Sequence, residues 1–256
     1  MNTAATHFSF EGYEIPIDLM YLTGGGPDTF KQISESHMEL IHKYIGLEDH
    51  WNFLELGCGI GRDAIPLTKL LRPEAKYFGL DIISRSIQWC AENITSKYPN
   101  FTFHHQNIKE GWFNPEGVLS VEDVRLPVGD AEIDAIILQS VFTHLNRAHI
   151  EHYLREFMRA LRPGGKIYAT FFVLDDEIQA RLTPQSYLQF AHKLPTGEYC
   201  QDIKNPTIAY GYTEAVIADM AKGSGLMLDN IVYGIWSGLR SSTDGGQDSV
   251  IFSKAS

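Results

Sequence analysis

Three glycines and a later aspartate have the spacing of a nucleoside-binding site. Gly57, Gly59 and Gly61 follow the apolar run 53–56 and precede a predicted helix. Glycines at such a turn let the backbone approach a ligand closely and direct amide N–H groups towards it. Asp81 ends the next apolar run, 20 residues after Gly61, where a carboxylate can accept hydrogen bonds from both ribose hydroxyls. The spacing predicts a ribose-bearing cofactor; the alternatives are a tight turn without a ligand and a solvated carboxylate.

The charges beside these glycines indicate a cofactor without phosphates. Glu55 directly precedes the glycines, and Arg62 stands where a dinucleotide-binding loop needs a further glycine. A carboxylate next to a pyrophosphate is electrostatically unfavourable, whereas a cofactor with a cationic end suits Glu55.

Strand-like and helix-like runs alternate from residue 51 to 172, which predicts an α/β protein with a parallel sheet. Residues 147–161 carry the clearest amphipathic helix, and Thr213 precedes another. No helix fits between the last two predicted strands, 226–236 and 248–254, so we expect them to be antiparallel. The predicted strands are residues 51–56, 76–80, 101–105, 133–138, 166–173, 226–236 and 248–254.

The domain organisation follows from where this alternation begins and ends. Residues 1–27 are predicted to form an N-terminal extension or lid, and residues 28–256 a single domain that starts with a helix capped by Asp28. The triple glycine 24–26 suits either an anion-binding or cofactor-covering turn or a flexible hinge. A long irregular segment at about 175–210 is predicted to be an insertion that recognises the substrate.

The whole order of motifs resembles the class I S-adenosylmethionine-dependent methyltransferases. The resemblance covers residues 30–254 and implies a Rossmann-like sheet of seven strands, mostly parallel with an antiparallel last strand, and helices on both faces. It rests on Glu55-Leu-Gly-Cys-Gly-Ile-Gly61, Asp81, Asn107-Ile108, Ser140-Val-Phe-Thr-His-Leu145 and Leu161-Arg-Pro-Gly-Gly-Lys166.

By this resemblance the cofactor is S-adenosyl-L-methionine. The glycines would line its methionine part, Glu55 would lie near its amino group, and Asp81 would hold the ribose. Asn107 stands where many family members have Asp. Its amide oxygen would accept a hydrogen bond from the adenine amino group, but without the negative charge of Asp. The full expected set is Glu55, Gly57, Cys58, Gly59, Gly61, Arg62, Asp81, Ile82, Asn107, Ile108, Gln139 and Ser140.

His144, just beyond the fourth strand, is the candidate general base for methyl transfer to a hydroxyl. The alternative is that it only packs or contacts the cofactor. The related ubiquinone-pathway enzymes carry Glu immediately before this His, and Thr143 here lacks that charge, so no metal site is expected. Four residues are candidates for substrate binding: Tyr21, Tyr210, Trp236 and Arg240.

The composition of the chain limits the classes of partner that it is expected to bind. The 256 residues hold 21 Lys and Arg against 32 Asp and Glu, a formal charge of −11, which disfavours nucleic acid. No apolar run is long enough to span a bilayer, so no membrane is expected. The N-terminus shows no secretory signal, and the three cysteines are widely spaced, so a cytoplasmic protein is expected. Its oligomeric state is not indicated.

Taken together, the sequence predicts a methyltransferase that acts on a small metabolite, glycan or natural product, with oxygen slightly favoured over nitrogen. Two alternatives stay open at this point. One is an NAD-dependent oxidoreductase with a Rossmann fold, and the other is a catalytically silent protein that keeps the cofactor site.

Overall fold

The computed structural model describes residues 6–183, 185–242 and 244–256. The first five residues of the predicted extension 1–27, and Pro184 of the predicted insertion, lie outside the described residues. The chain divides into two compact units, residues 1–127 and residues 128–256.

The first unit begins with an antiparallel hairpin and continues as three parallel strands with intervening helices. The strands 53–56 and 77–81 are almost entirely buried, as expected of parallel strands covered on both faces. Residues 57–61, which we call the glycine loop, lie between a strand and a helix. The elements are β1 (His7–Phe10), β2 (Tyr13–Pro16), α1 (Ile17–Leu22), α2 (Pro27–Ile45), β3 (Phe53–Leu56), α3 (Ala64–Leu70), β4 (Tyr77–Asp81), α4 (Ser84–Cys90), which continues as a π-helix (Ala91–Thr95), and β5 (Phe101–His105).

The second unit contributes four strands in the order β12-β13-β7-β6. Strands β6 and β7 are parallel, and β13 is antiparallel to both β7 and β12. The elements are β6 (Ile133–Leu138), α5 (Arg147–Ala160), β7 (Leu161–Phe171), β8 (Val173–Leu174), α6 (Asp176–Arg181), β9 (His192–Lys193), β10 (Tyr199–Cys200), β11 (Tyr210–Thr213), α7 (Glu214–Gly223), β12 (Met227–Val232) and β13 (Asp248–Ser253).

The predicted fold class is confirmed. The main sheet has seven strands and is mostly parallel, and β13 is antiparallel to its neighbours. No helix in the described part of the chain is both long enough and apolar enough to cross a membrane.

Two local predictions were wrong. The first long helix begins at Pro27 with Gly26 as its N-cap, so Asp28 lies in the first turn and is not the cap. Proline suits that position because its φ is already helical and its missing N–H is not needed there. Strand β12 ends at Val232, well before Trp236, because the chain turns at Gly234, whose amide donates to Asp248 Oδ1 at 2.8 Å.

The segment predicted to be irregular, about 175–210, has more regular structure than its sequence suggested. It contains α6 and joins a small four-stranded sheet in the order β8-β11-β10-β9. The segment shares an apolar cluster with the two residues 172 and 174 that precede it, so part of it folds as a packed layer and not as a loose loop. The buried members of this cluster are Phe172, Leu174, Ile178, Phe190 and Ala209, and Trp236 packs against them.

Candidate functional site

The glycine loop is built from backbone conformations that favour glycine. Gly57, Gly59 and Gly61 have φ of 79°, 51° and 78°, a region that other residues rarely adopt. Backbone carbonyls already accept the amide hydrogens at both ends of the loop. Gly57 and Cys58 donate to the Leu80 carbonyl at 2.7 and 3.0 Å, and Gly61 donates to the Cys58 carbonyl at 2.9 Å.

Two side chains accept the remaining amide hydrogens of the loop. Gly59 N donates to Asp81 Oδ2 at 2.7 Å, and Ile60 N donates to Thr23 Oγ1 at 3.0 Å. Every amide of residues 57–61 is therefore paired within the protein. A pyrophosphate needs such amides as donors, so this loop suits a cofactor without phosphates and disfavours a dinucleotide.

Asp81 lies at the carboxyl end of β4, where the sequence predicted a ribose acceptor. It is 9% exposed, and burial raises the pKa of its carboxyl group, although hydrogen bonds from Ile83 and Gly59 act in the opposite direction. Its second oxygen accepts from Ile83 N at 2.8 Å. Each carboxylate oxygen can accept more than one hydrogen bond, so the residue can hold the loop and still accept ribose hydroxyls. The half-buried Ile82 follows directly.

Glu55 is 4% exposed and accepts a hydrogen bond from the Tyr77 hydroxyl of the neighbouring strand. Burial, and then the Asp63 carboxylate, raise the pKa of Glu55 well above its usual range. Asp63 is itself buried and lies 2.8 Å from His37 Nδ1. Glu55, Asp63 and Asp81 thus place three buried carboxyl groups around the glycine loop, and a cationic ligand there would favour their ionised forms.

Arg62 joins the glycine loop to the N-terminal segment. Its Nη1 donates to the Gly24 carbonyl at 2.6 Å, and its own carbonyl accepts from Ser34 Oγ at 3.0 Å. A Cβ built on Gly59 would lie 2.5 Å from Thr23 Oγ1, so Thr23 is packed directly against the loop. The turn 23–26 therefore packs against the glycine loop. Whether it covers the cofactor, binds an anion or acts as a hinge stays a prediction. No sequence pattern identified Thr23 as part of the site, because its contact with the glycine loop joins residues far apart in the chain.

Asn107 and Ile108 follow β5 in an irregular stretch. Asn107 is half-buried, and its Oδ1 accepts from Asn114 Nδ2 at 3.2 Å. The Ile108 side chain is buried. The amide oxygen of Asn107 keeps capacity for a second hydrogen bond, so its expected role towards an adenine amino group stays a prediction.

Gln139 and Ser140, in the second unit, follow β6. Ser140 has φ of 56° and donates its amide to Thr170 Oγ1 at 2.7 Å. Such a conformation costs a non-glycine residue about 1–3 kcal/mol and tends to occur at functional sites. Gln139 Nε2 is buried without a hydrogen-bond partner among the described residues, which is uncommon in folded proteins.

His144 lies in a 3-10 turn, Phe142–His144, and its side chain is exposed. Its Nδ1 lies 2.9 Å from the Thr207 carbonyl oxygen. A carbonyl can only accept, so Nδ1 carries the proton and Nε2 keeps its lone pair. The ring is thereby held in the tautomer that a general base requires.

The four predicted substrate residues have different surroundings. Tyr21 is 64% exposed, and Tyr210 is buried on β11. Trp236 Nε1 donates to Asp248 Oδ2 at 2.6 Å, and Arg240 Nη1 lies 3.9 Å from Asp248 Oδ1. The fully buried Asp248 thus brings Trp236 and Arg240 together.

Arg240 has further partners within the second unit. Its guanidinium forms an ion pair with Asp175 and lies 3.6 Å from the centre of the Tyr233 ring. These contacts give it a structural role that the sequence did not indicate, and a role in binding an acidic substrate stays a prediction.

The Rossmann-like sheet and a glycine loop whose amides are all paired are consistent with a protein that binds a nucleoside without phosphates. Comparison with known proteins identifies the family. A family model described as "Methyltransferase domain" matches residues 47–207, more than half of the chain. The chain belongs to this family. The predicted membership of the class I S-adenosylmethionine-dependent methyltransferases is confirmed, and with it the cofactor.

Among curated proteins, the chain is similar to an arsenite methyltransferase of Aquipseudomonas alcaligenes. The two are 24% identical over 190 residues, which is 71% of this chain and 52% of the relative. The chain therefore spans about half the length of that relative.

Solved structures show the same fold at low identity. A Burkholderia thailandensis 1,6-didemethyltoxoflavin-N1-methyltransferase is 14% identical with a TM-score of 0.55, covering 89% of this chain and 79% of that one. Human N-acetylserotonin methyltransferase is 16% identical with a TM-score of 0.57, covering 90% of this chain and 55% of that one.

Proposed function

We propose that this chain transfers the methyl group of S-adenosylmethionine to a small organic acceptor. The observation that carries the proposal is the glycine loop, in which Gly59 and Ile60 give their amide hydrogens to Asp81 and Thr23. A loop with no amide left for a phosphate, next to three buried carboxyl groups, suits a nucleoside whose other end is cationic.

The residues present fit this cofactor. Asp81 would accept hydrogen bonds from the ribose hydroxyls, and Ile82 would pack against the adenine. Asn107 would accept a hydrogen bond from the adenine amino group. The glycine loop would lie along the methionine part. The cofactor supplies an electrophilic methyl group on a positively charged sulfur, and the protein must place a nucleophile about 3 Å from that carbon and in line with the sulfur.

His144 would prepare a hydroxyl nucleophile. Its Nε2 is free to accept a proton because Nδ1–H is bonded to the Thr207 carbonyl, and an imidazole has a suitable proton affinity near neutral pH. Oxygen is slightly favoured over nitrogen, because the Asn/Asp-Pro-Pro-Tyr/Phe motif of many base and glutamine N-methyltransferases is missing after β6.

The acceptor is proposed to be organic, a metabolite, glycan or natural-product intermediate. One curated relative is named as an arsenite methyltransferase, and trivalent arsenic is bound by exposed thiolates. All three cysteines here, Cys58, Cys90 and Cys200, are buried free thiols, and burial raises the pKa of each. They are poor thiolate ligands. Free thiols also fit the reducing cytoplasm proposed for this protein.

Calorimetry with S-adenosylhomocysteine and with NAD tests the proposed cofactor directly. We expect the purified protein to bind S-adenosylhomocysteine with micromolar affinity and to show no heat with millimolar NAD. Binding of NAD alone, or of neither compound, would contradict the proposal. Methyl transfer from labelled cofactor to a panel of hydroxylated and amino compounds then separates an enzyme from a silent binding protein.

A further inference from the structure

Glu198 is a buried carboxylate with no counter-ion in the part of the chain that the structure describes. It is 2% exposed. Its Oε1 accepts from Arg147 N at 3.4 Å, a long hydrogen bond, and its Oε2 has no hydrogen-bond partner among the described residues. Buried carboxylates in proteins are nearly always paired with a cation or fully hydrogen-bonded, so Glu198 is incompletely satisfied.

The guanidinium of Arg147, whose backbone amide contacts Glu198, is already engaged elsewhere. The Arg147 guanidinium donates to Glu151 Oε1 at 2.7 Å and to the Thr196 carbonyl at 3.3 Å, and it forms an ion pair with Asp219. Only the backbone amide of Arg147 is bonded to Glu198. The Glu198 carboxylate is therefore paired with no side-chain cation among the described residues.

Glu198 lies beside the turn that carries the candidate base. The pairing of Cys200 with Tyr210 in the antiparallel β10–β11 ladder places Glu198 across from Tyr212. The Tyr212 hydroxyl donates to the Leu145 carbonyl at 2.5 Å, the residue after His144. The segment 198–212 therefore contacts residues 144–147 at three points: Thr207 to His144, Tyr212 to Leu145, and Glu198 to Arg147.

We infer that Glu198 determines acceptor specificity by binding a protonated amino group of the acceptor. This inference rests on the proposed function, since it concerns the acceptor of the same methyl transfer. An ammonium group would give Glu198 Oε2 the partner it lacks, and the net charge of −11 favours the approach of cations. The acceptor is then an amine that carries, in addition, the group that is methylated.

The competing explanation is that Glu198 serves only to cap α5 through the Arg147 amide. Glu198→Gln separates the two roles, because the amide oxygen of Gln can still accept from Arg147 N while the negative charge is lost. Glu151→Gln is a matched control, since it removes a partly exposed carboxylate bonded to the same arginine.

Binding is measured by calorimetry on the full chain with two matched pairs of probes, tyramine with N-acetyltyramine and glucosamine with N-acetylglucosamine, each with and without saturating S-adenosylhomocysteine. Within at least one pair, we expect the wild type to bind the amine tenfold or more tightly than its acetylated counterpart. Glu198→Gln should abolish that preference, and Glu151→Gln should keep it.

The inference is overturned if neither amine binds better than its acetylated counterpart, or if Glu198→Gln keeps the preference. An unchanged preference in Glu198→Gln, together with an unchanged melting temperature, would leave only the capping role, because the Gln oxygen still accepts from Arg147 N. Failure of the wild type to bind S-adenosylhomocysteine would refute the proposed function instead, so the two failures are distinguishable.

Discussion

Asp81 Oδ2 and the Gly59 amide nitrogen are 2.7 Å apart, so the carboxylate predicted to bind ribose also fixes the conformation of the glycine loop. This hydrogen bond links the loop to the end of β4, so the cofactor would bind to a site that is already ordered. A ligand gains affinity from such a site because little conformational entropy is lost when it binds.

Replacing Asp81 should damage both the loop and cofactor binding. Asp81→Ala leaves the amides of Gly59 and Ile83 without their acceptor, and each unpaired buried donor costs about 1–3 kcal/mol. We expect affinity for S-adenosylhomocysteine to fall at least tenfold in calorimetry, and the free energy of unfolding in urea to fall as well. Asp49→Ala, which removes a partly exposed ion pair with Arg72, is the control and should change neither. Wild-type affinity of Asp81→Ala for S-adenosylhomocysteine would contradict the prediction that Asp81 binds the ribose.

Gly59→Ala should release the N-terminal turn from the glycine loop. The added Cβ would lie 2.5 Å from Thr23 Cγ2 and Oγ1, so Thr23 must move and its hydrogen bond to Ile60 is lost. We expect weaker cofactor binding and faster limited proteolysis in the turn 23–26. The second substitution Thr23→Ala should relieve the clash in part.

Gly12→Ala is the matched control for this experiment. Gly12 also has positive φ, 84°, but a Cβ there meets nothing within 4 Å. It therefore reports the cost of the backbone conformation alone. Equal effects of Gly12→Ala and Gly59→Ala on cofactor affinity would show that the contact with Thr23 does not matter.

Glu55 should make the free energy of unfolding depend on pH, and its direction can be predicted. Burial and the Asp63 charge raise its pKa, so the folded state binds more protons than the unfolded state once the pH exceeds the unfolded value, about 4.3. Wild-type stability should therefore be lost as the pH rises from that value towards the folded pKa. Glu55→Gln still accepts from Tyr77 but has no charge to bury.

We expect the stability of Glu55→Gln relative to the wild type to increase between about pH 5 and about pH 8, measured by urea unfolding. The exposed carboxylate variant Glu39→Gln should show no such trend. A difference that does not change with pH would mean that Glu55 is ionised in both states. Calorimetry on the same variant tests the predicted contact with the cofactor's amino group, since losing that contact would weaken S-adenosylhomocysteine binding.

Much of the fold could be predicted because its signals are local. The strands at 101–105 and 133–138 agree with the structure to the residue, since each is a short run rich in aromatic or β-branched residues. Thr213 caps its helix as predicted, with Oγ1 accepting from Val216 N. The antiparallel last pair followed from a connection too short for a helix.

The contacts that complete the site could not be predicted, because they join residues with no sequence relationship. Thr23 lies 37 positions before Ile60, and Thr207 lies 63 positions after His144. The sequence made Arg240 a candidate for substrate binding, but in the structure Arg240 contacts Asp175 and Tyr233. Periodicity and composition carry no information on such pairs.

His144 should be separable from cofactor binding if it is the base. His144→Asn removes the nitrogen that accepts the proton, and general base catalysis typically contributes about 10²–10⁴-fold in rate. With any hydroxyl acceptor that the wild type methylates, we expect kcat to fall within that range while S-adenosylhomocysteine affinity stays within twofold. The exposed His192→Asn is the control. Tyr212→Phe removes the hydrogen bond to the Leu145 carbonyl. It should lower kcat less than His144→Asn does and keep the pH dependence of the rate, because His144 is less firmly positioned but still present. Loss of cofactor affinity in His144→Asn, with unchanged turnover at saturation, would instead make His144 a cofactor contact.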